Sequence, residues 1–260
     1  MLIALVAVLL AGCADAEHEE GRETGETVAQ PLLVLAAASL STAMPVLIER
    51  FEQQTGTAVD LALGATGSLA AQIENGAPAD LFFAADEETI ERLVTSGSIR
   101  RTSVRTYVVG QLVLVWRDGV DRLASLQQLA DSRYEVVAIA NPEIAPYGAA
   151  AREALQQAGV WDAVEPRIVQ GENITQTYQL VQTGNADVAL VARSVVDTTR
   201  TELSLIDPSL HTPIRQAAGI LERSDNPAAE RFLEYVLSDE GQAILEAHGF
   251  GRAPRQARDR

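Results

Sequence analysis

Lysine is absent. All twenty basic residues are arginine, set against 36 acidic ones, and the 260-residue chain carries a formal charge of −16. That balance excludes the basic footprint through which a nucleic-acid binder displaces counterions. A single cysteine, Cys13, excludes a disulfide framework and a thiolate zinc cluster. Histidines occur only at 18, 211 and 248, too few and too scattered for a typical transition-metal site. The G-x-S-x-G elbow of α/β hydrolases is missing. Gly64-Ala65-Thr66-Gly67-Ser68 is rich in small residues, but no lysine follows, so it is not a P-loop. The lysine-free, acidic composition fits either a GC-rich genome with a solvated surface or adaptation to high salt. Both readings concern solubility rather than fold.

The chain has ample apolar material: hydrophobic residues make up 47%, enough for one large domain or two lobes. Residues 1–12, MLIALVAVLLAG, form an apolar run far short of the ~20 residues that span a bilayer. The run ends in Leu10-Ala11-Gly12-Cys13, which resembles the bacterial lipobox, where the cysteine takes the lipid and becomes the first mature residue. We read 1–12 as a lipoprotein signal peptide, although no basic residue precedes it as a positive n-region would. Residues 13–30 are acidic and poor in large apolar groups, which suits a flexible tether. Ala14 follows the cysteine where the common inner-membrane retention signal has Asp, which points to the outer membrane in an organism that has one. Residues 252–260 read as a disordered tail.

Between these ends, strand and helix patterns alternate, as in parallel α/β architecture. Leu32–Ala38 is a continuous apolar run, expected as a buried strand. Ser39 to Thr42 offer N-cap candidates for a helix starting near 42–44, with Pro45 in its first turn. Strands are expected at Ala58–Leu63 and Leu81–Ala84, with a short helix around Leu69 and Ile73 between them. Asp86 is placed to cap the next helix, which Gly97 stops. Two extended stretches, Thr106–Val109 and Gln111–Trp116, break the series at Gly110. A second series follows, with strands at Val136–Ala140, Arg167–Val169 and Val188–Ala192 and helices near 147–158 and 174–183. Ile214–Leu221 is extended, and helices near 227–237 and 239–247 close the chain. Two lobes, 31–109 plus 213–251 and 110–212, joined by extended crossovers, account for this order. A single doubly wound sheet is the alternative.

In open α/β sheets, ligands bind beyond the carboxyl ends of strands, where helices begin. Four such turns are present: Ala36–Leu40, Gly64–Ser68, Asn141–Gly148 and Gly171–Thr175. Unpaired N–H groups and the positive end of the helix dipole make such starts anion sites without any cationic side chain. The net negative charge acts over a Debye length of roughly 8 Å and is screened, whereas neutral donors act at contact. Plain helix capping is the competing reading of any one turn. Asp80 and Asp86 could pose as paired carboxylates, but strand-entry and capping roles suit them better. Glu172 is read as solvated or capping, and Arg193 as a surface ion-pair partner.

Read in order, the four turns resemble the periplasmic molybdate-binding family, ModA, of bacterial ABC importers. Ala36-Ala37-Ala38-Ser39-Leu40 and Ala70-Ala71-Gln72-Ile73-Glu74-Asn75-Gly76-Ala77-Pro78-Ala79-Asp80-Leu81-Phe82 carry it most specifically. Asn141-Pro142 with Ala145-Pro146-Tyr147-Gly148 matches the second-lobe anion loop, and Asp225-Asn226-Pro227 onward resembles the C-terminal helices. The resemblance implies an α/β fold of periplasmic-binding-protein type (type II). Each lobe would be a mixed, mostly parallel sheet flanked by helices, and a hinge would close both over a tetrahedral oxyanion.

Carried over residue by residue, Ser39 and Thr66 would donate hydroxyls, while Tyr147 and Ile174 would donate backbone N–H groups. The fifth position, often tyrosine, falls on Ala192, where only the backbone could touch the anion: either Tyr147 supplies the missing hydroxyl, the reading preferred, or the fifth contact is lost. The implied protein is a monomeric receptor, not an enzyme, with no cofactor and with molybdate or tungstate as its ligand. An ABC permease and its ATPase would be its partners, and lipidated Cys13 would hold it in the periplasm or at the cell surface. Rival readings are a same-fold receptor for sulfate, thiosulfate or phosphonate, an α/β enzyme acting on a phosphorylated substrate, and a sensor docking to a membrane kinase.

Overall fold

The computed structural model describes residues 30–253. The signal-peptide, lipobox and tether readings, Cys13 included, lie outside the described residues, as does the tail beyond Ala253. The chain runs β1 (Leu32–Ala37), α1 (Met44–Thr55), β2 (Val59–Gly64), α2 (Thr66–Glu74), β3 (Leu81–Phe83) and α3 (Glu87–Thr95). It continues through β4 (Arg105–Val109), β5 (Leu112–Trp116), β6 (Val137–Ala140), α4 (Pro146–Gln157), α5 (Trp161–Val164) and β7 (Ile168–Gly171). Then come α6 (Ile174–Gln182), β8 (Val188–Ala192), β9 (Leu203–Leu205), β10 (Arg215–Ile220), α7 (Ala228–Leu237), α8 (Asp239–Ala247) and β11 (Gly251–Arg252).

These strands build two sheets, not one. The first has the order β11-β4-β10-β3-β1-β2 and the second β7-β6-β8-β5-β9. The chain passes between them twice, after β4 through Gly110 and Gln111, and after β9 through residues 206–214. Parallel pairing occurs in the strand–helix–strand units, β1 with β2 and β3, and β6 with β7 and β8. β5 and β10, each reached by a crossover between the sheets, and β11 at the chain end pair antiparallel, as do β4 and β9, which lead into the crossovers. A strand that enters a sheet without a covering helix has no right-handed crossover to align it.

Alternation along the strands divides the first sheet's two faces. Val34 and Ala36 of β1 join Leu81 and Phe83 in a core with α1 and α7, while Leu35 and Phe82 pack on the other face against α2 and α3. Edge-on aromatic pairs lock the first of these cores: Phe51 with Phe232 at 5.0 Å and Phe83 with Tyr107 at 5.3 Å. A third core surrounds the second sheet, and Ala37, Ala38 and Ala85 of the first lobe belong to it. Those three small residues let the lobes meet closely.

Several local expectations change. Ser39 and Leu40 lie in a short 3₁₀ segment, Ala38–Leu40, and α1 starts without a side-chain cap. Thr42 instead donates to the Ser194 carbonyl of the other lobe at 2.7 Å. Arg252, placed in the tail by sequence, pairs in β11 with Val108 of β4. β9 was not expected at all; three residues at a sheet edge are too few for a readable pattern. Among the described residues, no helix is long and apolar enough to cross a membrane.

Candidate functional site

The four turns singled out by sequence come together where the sheets face each other. One small cavity is lined from the first lobe by Ala37, Ala38, Ser39, Gly64, Ala65, Thr66 and Ala85. From the second lobe, Ala145, Pro146, Tyr147, Asn173 and Ile174 line it. The space is small and partly open to solvent. No carboxylate, imidazole or cationic side chain lines it. Among the described residues, no group of three or more His, Cys, Asp or Glu is arranged to hold a metal.

The helix starts around the cavity are bare. Thr66 and Ile174 are the first residues of α2 and α6, and Tyr147 is the second of α4. Ala65 and Ala145, the N-cap residues of α2 and α4, have no side chain that could cap. Side-chain capping therefore does not account for these two turns; in α4, Pro146 has no N–H and Gly148 N–H donates to the Ala145 carbonyl at 2.8 Å, which leaves the Tyr147 N–H. Only Asn173 caps, accepting from the Gln176 N–H at 3.0 Å. Away from the cavity, Asp86 and Ser238 cap α3 and α8 in the ordinary way. Close approach at α4 needs glycine: a Cβ on Gly148 would lie 2.2 Å from the Ala140 carbonyl oxygen.

Two buried hydroxyls reach the cavity. Thr66 Oγ1 accepts from the Ala85 N–H at 3.0 Å, so its own hydrogen is left to donate. Ser39 Oγ donates to Gln216 Oε1 at 3.3 Å, long for a bond between oxygens and readily exchanged. Tyr147 also lines the cavity, but its phenol oxygen accepts from Gln216 Nε2 at 2.9 Å. The expected substitute hydroxyl is thus engaged behind Ser39. Burial pushes the Tyr147 and Tyr107 phenols well above the usual tyrosine range, so both keep their hydrogens. Ala192 does not line the cavity; it is buried in β8, paired with Leu112.

Interlobe bonds tie the two sides of the cavity together. Gly67 N–H donates to the Ile144 carbonyl at 2.8 Å, Ser194 Oγ to the Ser39 carbonyl at 2.7 Å, and Thr175 Oγ1 to the Ala38 carbonyl at 3.1 Å.

The other charged candidates have structural partners. Asp80 accepts from the Leu33 N–H at 2.8 Å and the Ser224 hydroxyl at 2.6 Å, at the entry to β3. Asp86 caps α3 through the Thr89 N–H at 2.5 Å; burial pushes its pKa up despite that bond. Arg193 meets Gln111 Oε1 at 3.1 Å rather than the carboxylate expected for it. Glu172 is exposed. Sequence reasoning missed Ala85, Ser194 and Gln216. Gln216 had a signal, a lone amide inside the apolar stretch Ile214–Leu221.

A family model described as bacterial extracellular solute-binding protein matches residues 32–251. A curated relative, the molybdate-binding protein ModA of Azotobacter vinelandii, is 38% identical over 84% of this chain and 88% of its own. The putative ABC transporter substrate-binding lipoprotein YvgL of Bacillus subtilis is 32% identical over 96% of both chains. Among solved structures, the periplasmic molybdate-binding protein of Azotobacter vinelandii superposes with a TM-score of 0.81 at 31% identity. That superposition covers 86% of this chain and all of the other. The two facing mixed sheets, the anion-suited turns between them and these likenesses agree: the chain belongs to the bacterial extracellular solute-binding protein family.

Proposed function

We propose that this protein captures molybdate, or tungstate, between its lobes and delivers it to an ABC permease with its ATPase. One observation carries the reading. Bare helix starts and two hydroxyls, from Ser39 and Thr66, converge on a cavity with no charged side chain. Such a site offers donors only, which suits a fully ionised oxyanion. Tyr147 and Ile174 contribute backbone N–H groups, and Ala192 contributes nothing directly. The relatives named for molybdate supply the choice of anion. Sulfate is smaller, and donors left unsatisfied in a closed site would cost it ~1–3 kcal/mol each.

The lobes are taken as 31–109 with 213–251, and 110–212. Strand membership of the two sheets supports that division. We place the protein outside the cytoplasm, held through lipid on Cys13. Like its relatives, which are solute-binding proteins of transport systems, it transports rather than catalyses. Calorimetric titration of residues 28–260, stripped of ligand, tests the reading. Molybdate and tungstate should bind one to one, with sulfate and phosphate silent. Silence with molybdate and tungstate refutes the choice of ligand, and heat from sulfate instead would establish the rival receptor.

A further inference from the structure

Gln216 is completely buried, in the strand that follows the second crossover. The pairing of β10 with β4 shifts register there. Gln216 faces Val108 and Ala217 faces Thr106, so Tyr107 is the extra residue of a bulge. The Tyr107 hydroxyl donates to Gln216 Oε1 at 2.9 Å. Ser39 Oγ shares that acceptor, and Gln216 Nε2 donates to the Tyr147 phenol on α4 of the other lobe. The Ser194 hydroxyl of the other lobe donates to the Ser39 carbonyl. The bonds run from Tyr147 through Gln216 to Ser39, whose carbonyl accepts from Ser194. Two of these residues belong to each lobe. Both crossovers adjoin them, since Gly110 N–H donates to the Ile214 carbonyl at 2.8 Å. A Cβ on Gly110 would lie 2.2 Å from the Tyr147 phenol oxygen.

We propose that Gln216 is the positioning residue that couples lobe closure to the Ser39 hydroxyl, by bridging to Tyr147 across the hinge. This rests on the oxyanion reading of the cavity. Gln216 touches no ligand. It bonds Tyr147 only while the lobes are together, and its longest bond, to Ser39, is the one a ligand replaces. The Tyr147 phenol therefore acts on binding through Gln216 rather than by direct contact.

Rapid-mixing kinetics with molybdate on Gln216→Met, Tyr147→Phe and the double variant test this. A bond made only in the closed state changes release, not encounter. Each single variant should release molybdate about tenfold faster, with association within about twofold of the parent. The double variant should be little worse than either single one, because both remove the same bond. A purely structural role would lower the melting temperature of the ligand-free protein without splitting the two rates. Unchanged release from variants of a parent that binds, or full additivity in the double variant, overturns the proposal. A parent that ignores molybdate refutes the choice of ligand instead. Small-angle scattering of the ligand-free proteins then decides the latch: the variants should be more expanded than the parent, and equal radii of gyration overturn it. Tyr147→Phe keeps the test open if Gln216→Met does not fold.

Discussion

Replacing Thr66 by alanine probes the anion site and the packing beneath it together. The threonine hydroxyl has two tasks. It accepts from the buried Ala85 N–H at 3.0 Å, and its hydrogen remains available to the cavity. Losing a hydrogen bond to a charged ligand costs about 1.5–3 kcal/mol, which is roughly a 10- to 150-fold rise in Kd. Alanine also strands the Ala85 N–H, at about 1–3 kcal/mol of stability, which lowers the melting temperature of a chain this size by about 2–4 °C per kcal/mol. Thr66→Ser keeps both bonds and should bind molybdate within a few-fold of the parent. Calorimetry gives Kd for the three proteins, and thermal unfolding without ligand gives the stability loss. If Thr66→Ala binds as tightly as the parent while melting lower, the hydroxyl serves the fold alone and the donor assignment is wrong.

Ser39→Ala should weaken molybdate binding by a similar factor with a smaller loss of stability, because its bond to Gln216 is long and Tyr107 still occupies that acceptor; an unaltered titration would remove Ser39 from the site. Asp187 supplies a pH dependence. Burial pushes its carboxyl up, but bonds from the Val136 N–H and Arg117 outweigh it and hold the folded pKa below the usual aspartate range. Its contribution is therefore present above pH ~3.8 and lost as pH falls through the folded value. In urea unfolding, Asp187→Asn should be less stable than the parent at pH 7 and should lose less on going to pH 3; parallel losses would contradict the assignment. Cys13→Ser should abolish lipid processing and release the protein from the membrane fraction, and an unaltered fractionation would refute the anchor.

Most elements could be read from residue pattern because each buries one face of its own. The apolar run of β1, the Asp86 cap and Pro45 in the first turn of α1 all act within a few residues of sequence. The four ligand turns were legible for the same reason: each is a local strand-to-helix change with small residues. β9 and β11 were not, since two or three edge residues have no period of their own and form only against a partner. Thr42 misled for a related cause. Its sequence position suits an N-cap, but the other lobe offers the Ser194 carbonyl.

The sequence by itself determined the donor chemistry: no lysine, and four strand-to-helix turns of small residues with hydroxyls among them. Tertiary structure alone decided which of those groups share one cavity. It brought Ser39, Thr66, Tyr147 and Ile174 together, left Ala192 inside β8 and turned the Tyr147 phenol toward Gln216. The physical reason is range. Backbone preference and capping act over a few residues, whereas the Tyr147–Gln216 bond joins side chains 69 positions apart and exists only when two separately built sheets face each other.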